Sequence, residues 1–134
     1  MAVNEQEVRD LLDGPAATSV PSATINANIN RASIIVDNVK DSAAKPVKVD
    51  EATKAVATWL TYGSYMEGIS QQLGAISIAD QIKLDHLRKT AMLLINMVST
   101  TFVDLDPDNQ RDNMQGITPE VFTLTTTEAF TQDT

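Results

Sequence analysis

The chain has 134 residues, enough for one domain, and a formal charge of −8. It holds no Cys, which excludes disulfides, thiolate zinc sites and cysteine nucleophiles. Hydrophobic residues make up 43% but aromatics only 4%, so the core must come from Ala, Val, Ile, Leu and Met. No apolar run is long enough to span a bilayer. The acidic, polar start Met1-Ala2-Val3-Asn4-Glu5-Gln6-Glu7 lacks the basic and apolar order of a signal peptide, so a soluble, unprocessed protein is expected.

A first helix is expected from Asn4, a capping residue followed by Glu5 and Glu7 at the positive helix end. Val8, Leu11 and Leu12 form its apolar edge, and Gly14-Pro15 stops it. Residues 14–21 read as a loop. Ser22 is the expected cap of a second helix. Its stripe of Ile25, Ile29, Ala32, Val36 and Val39 recurs at helical spacing and ends near Asp41. Lys45-Pro46 marks a connector.

A third helix is predicted from Asp50, with Ala52, Ala55, Val56, Trp59, Leu60, Gly63 and Met66 on its stripe. Gly63 costs about 1 kcal/mol of helix propensity, so a close backbone approach is expected there. Residues 67–77, with two glycines and two glutamines, read as a loop. A fourth helix spans about Ala79 to Thr101, with Ser77 or Asp80 near its start. Leu84, Leu87, Ala91, Leu94 and Val98 make its seam, and Met92, Leu93, Ile95 and Met97 widen it. Read as the longest and most apolar helix, it is either a central core helix or one that turns part of its surface to another subunit.

The charge is uneven. Residues 1–102 hold 11 acidic against 9 basic side chains, whereas 103–134 hold seven acids against Arg111 alone. Two regions follow: a helical domain, 1–102, and an acidic, Thr-rich C-terminal arm, 103–134. Asp106-Pro107-Asp108-Asn109 is turn chemistry, and Gly116 and Pro119 break any helix beyond it. The run from Glu120 to Thr127 is rich in β-branched residues and suits a strand, yet a helical body gives it no partner. Either another chain pairs with it, or it is a disordered tail. The expected fold class is therefore all-α: a small four-helix bundle-like domain with an extended, strand-competent arm.

Chemistry is sparse. The single His86 lies beside Asp85 and Arg88 on the fourth helix and reads as a polar surface position, with no catalytic partner. With one His and no Cys, only carboxylates and amides remain for metals, which suits Ca²⁺ or Mg²⁺. Asp104, Asp106, Asp108 and Asp112 occupy positions 1, 3, 5 and 9 of a calcium-type loop. However, Asn109 replaces its glycine, Gln115 its closing Glu, and Arg111 its aliphatic residue. An ordinary acidic turn is the competing reading, and no metal or other cofactor is expected. Gly68 to Gly74 lacks the spacing and Lys of a phosphate loop. Trp59, Tyr62 and Tyr65 read as core plus a wet rim, or as an anchor for a partner. No catalytic residue and no enzyme activity are expected.

The order of these helices, with the run Val8-Arg9-Asp10-Leu11-Leu12 and the pattern Ile25-xxx-Ile29-Asn30-Arg31-Ala32-xxx-Val36, resembles the head–tail connector, or adaptor, family of tailed bacteriophages. The resemblance covers about residues 5–100. It implies a homo-oligomeric, commonly dodecameric, ring in the virion neck, made in the host cytoplasm. The ring joins the portal protein to a tail-side stopper or tail terminator protein. It implies too that DNA passes through the lumen unheld, and that such rings carry no catalytic residues. On that reading Met92, Ile95, Met97 and Phe102 are the expected subunit contacts. Val121, Phe122 and Leu124 are expected to dock the arm. The other reading of the residues is a small helical binding or regulatory module whose acidic tail meets a basic partner.

Overall fold

The computed structural model describes residues 3–73 and 77–105, and the side chains of all of these but 70–73. The chain is all-α, with helices α1 (Glu5–Leu12), α2 (Ala16–Ser19), α3 (Ser22–Val39), α4 (Pro46–Leu73) and α5 (Ile78–Val98). Among the described residues there is no strand, only an isolated bridge between Lys40 and Ser99.

Helix α1 opens with a full capping box. The Asn4 side chain accepts from the Glu7 backbone at 3.0 Å, and Glu7 accepts from the Asn4 backbone at 2.9 Å. The helix stops at Asp13 and Gly14, whose φ values of 54° and 62° are left-handed. Residues 14–21 are not simply a loop: Pro15 starts the single turn α2, which buries Ala16. Arg9 holds this corner, donating to Ala17 O at 2.7 Å and to Glu5 at 2.8 Å.

Ser22 is the first residue of α3 and does not cap it. Pro21 holds the N-cap place, and its carbonyl accepts from Thr24 and Ile25. The Ser22 hydroxyl instead donates to Glu5 at 2.6 Å. That hydrogen bond, then the one from Arg9, lowers the Glu5 pKa.

Helix α4 begins four residues before the expected Asp50. Proline suits a first helical turn because its missing N–H has no partner to lose there. The Lys45 carbonyl accepts from Lys48 and Val49. The helix then runs through Gly68 to Leu73, over most of the expected loop. One glycine costs only about 1 kcal/mol, too little to end a helix already propagating. At 28 residues α4 is the longest helix, and every residue from Ala55 to Tyr62 is buried. The central helix is therefore α4, not the fourth predicted helix. Its polar residues are accommodated locally: Thr53 and Thr58 each donate to the carbonyl four residues back at 2.8 Å. The buried Asn28 donates to the buried Thr61 at 3.2 Å.

Gly63 does not mark a close backbone approach. A Cβ there would meet Leu84 Cδ1 at 4.0 Å, an ordinary contact. Helices α3 and α5 pack on α4, and their C-terminal ends are joined. Asp41 N donates to Val98 O at 2.7 Å and Thr100 N to Val39 O at 3.0 Å.

Candidate protein-binding surface

Helix α5 is capped by Ser77, which accepts from Asp80 N at 3.1 Å. One face carries Ala91, Ile95 and Val98 into the core, with Leu84, Leu87 and Leu94 packed beside them. The opposite face is exposed at Ile78, Ile82, His86, Lys89, Leu93 and Met97, which recur every three or four residues. Its apolar members stand 74%, 65%, 64% and 58% exposed at Ile78, Ile82, Leu93 and Met97. Scattered exposed apolar residues are ordinary on a protein surface. Four on one helical stripe form a candidate surface for another protein.

Beside this face the chain turns back as a strap. The Asn96 amide donates to Val103 O at 2.8 Å and accepts from Val103 N at 2.7 Å, as a neighbouring strand would. It also donates to Met92 O at 2.8 Å. Arg88 reaches Leu105 O at 3.4 Å. Val103 and Leu105 are fully buried, so the body continues to Leu105, beyond the expected boundary at 102.

The expected subunit-contact residues separate. Met97 and Phe102 are exposed, Met92 is half-buried, and Ile95 lies wholly in the chain's own core. Ile95 therefore offers nothing to a neighbour of the folded subunit. Val121, Phe122 and Leu124 lie outside the described residues, as do Asp106, Asp108 and Asp112; Asp104 is half-buried at the strap. Among the described residues no cluster of three His, Asp or Glu side chains could hold a metal ion.

His86 is exposed on the stripe itself. Trp59 and Tyr62 are core. The Tyr62 hydroxyl donates to Asp80 at 2.9 Å, and Lys83 stacks 5.0 Å over its ring while donating to Leu12 O at 2.5 Å. Burial, then the Asp80 bond, raises the Tyr62 pKa. Tyr65 is half-buried and lines an open groove of about 610 Å³ with Val20, Pro21, Thr24 and Ile69. No described helix is long and apolar enough to cross a membrane.

The sequence expectations do not mark Ile78 and Ile82, because the seam dominates the periodicity of this helix. Their signal is a second 3.6-residue period, half a turn out of phase with the first. Comparison with protein-family models, with curated proteins and with solved structures gives no match to the chain.

Proposed function

We propose that this protein is a structural subunit of a phage head–tail connector ring, which joins a portal protein to a tail-side stopper or terminator and lets DNA pass through its lumen. The observation that carries the reading is the exposed apolar stripe of α5, set on a helical body whose core is already filled by α4. Such a face serves contact between proteins rather than chemistry. The resemblance of about residues 5–100 to adaptor proteins supplies the particular assembly.

The charge is compatible with this role. A chain with net charge −8 attracts no phosphate backbone, since affinity for nucleic acid comes mainly from Lys and Arg. DNA inside such a ring is enclosed rather than gripped. The arm beyond Leu105, with Val121, Phe122 and Leu124, serves as the segment that docks on the portal or a neighbouring subunit.

Negative-stain imaging of the purified protein, alone and mixed with its portal, tests the reading. Rings, or density added beneath the portal, are expected. A protein that stays monomeric in both preparations overturns it and leaves the alternative of a small helical binding module with an acidic tail.

A further inference from the structure

Helix α3 carries an outward stripe of its own. Ala23, Ala27, Asn30, Ile34 and Asn38 are all exposed and lie on the side away from its buried face. The two stripes are in register. Lys40 bridges Ser99, a separation of 59 positions. At mid-helix, Asn28 meets Thr61 while Gly63, half a turn on, faces Leu84, which keeps nearly the same offset. Helices α3 and α5 both run antiparallel to α4, so they run parallel to each other at matched height. The same 59-position offset sets Ile34 level with Leu93, Ala27 with His86, and Ala23 with Ile82.

Resting on the ring reading above, we infer that the outward face of α3 on one subunit is the docking site for the outward face of α5 on the next copy of the chain. A rotation that keeps axial height brings the stripes together residue by residue. Small Ala23 and Ala27 then receive the larger Ile82 and His86, and Asn30 stands opposite Lys89.

Side-chain size argues for this pairing over a two-fold contact between two α5 faces. That contact would set Ile82 of one copy near Leu93 of the other, whereas the α3 positions level with Ile82 and His86 are the small Ala23 and Ala27. A stripe of 20 residues is about 28 Å long and about 10 Å wide, a footprint of roughly 300 Å². That is well short of the roughly 800 Å² a side of a stable complex. An α3–α5 contact is no larger than one between two α5 faces, but a subunit that uses both faces makes two such contacts, and the unlike faces generate a closed ring when the rotation closes.

The chain has no cysteine, so paired substitutions give a clean readout. Ile34 and Leu93 are both exposed, and the Ile34→Cys, Leu93→Cys double variant should fold as the parent does by circular dichroism. Oxidation of the assembled variant is expected to give a ladder of disulfide-linked dimers, trimers and higher species. Mixing the two single variants is expected to stop at dimers. Rings that form in the microscope but give no ladder overturn the α3–α5 contact while leaving the ring reading intact. Self-cross-linking of either single variant as strong as that of the mixture overturns it too. A protein that stays monomeric even with portal overturns the ring itself.

Discussion

Asn28 and Thr61 are polar side chains in a largely apolar core, and each gives the other a reason to be there. The pair donates and accepts at 3.2 Å between α3 and α4. Thr61→Val removes the acceptor and leaves the Asn28 amide buried, which should cost about 1–3 kcal/mol in chemical denaturation. Replacing both residues with apolar ones of similar shape should cost less than the single change, because no orphaned donor remains. Equal losses in the single and double variants would show that packing rather than hydrogen bonding matters at this position. The pair was not legible in the sequence. Asn28 is one of several asparagines on α3, and nothing in the spacing marks it as the one turned inward.

At the scale of elements, α4 and α5 exchange their expected roles. The sequence patterning placed the apolar stripe of each helix well. It misjudged which one is enclosed, because Thr53, Thr58 and Thr61 look like surface residues. Each is buried with its hydroxyl in a hydrogen bond. The bounds of α4 were missed for a related reason. Pro46 and Gly68 read as punctuation, yet proline is tolerated at a helix start and one glycine is a small cost. Gly63 is the clearest consequence. With only Leu84 Cδ1 near, at 4.0 Å, Gly63→Ala should stabilise the fold by up to about 1 kcal/mol, read as a higher thermal midpoint. A fall in the midpoint would show that α4 and α5 pack more tightly at that point. The cap of α1 and the seam of α5 were legible throughout, since both are local patterns.

For the whole molecule, the packed body reaches at least to Leu105. A chain ended after Phe102 loses Val103 and Leu105, each fully buried. Burial of such side chains contributes about 1.5–3 kcal/mol apiece. A chain ended after Leu105 should therefore be several kcal/mol more stable in urea than one ended after Phe102. Equal midpoints would mean that the strap adds nothing to the body. The charge pattern suggested an arm from residue 103, because charge reports composition and not packing. Val103 and Leu105 flank Asp104 in an alternation too short to stand out. The stripe on α5 was half legible: Met97 was singled out, while Ile78 and Ile82 were not.

The strap has a mechanical side. From Val103, held at Asn96, to Leu105, reached by Arg88, the chain travels toward the N-terminal end of α5. Tension that continues along that direction loads the Asn96–Val103 pair and both buried side chains together, in shear. Tension away from the helix lifts Leu105 first and Val103 after it, one at a time. Whatever pulls on residues beyond 105 thus meets an anchor that resists strongly along one axis and unzips along another.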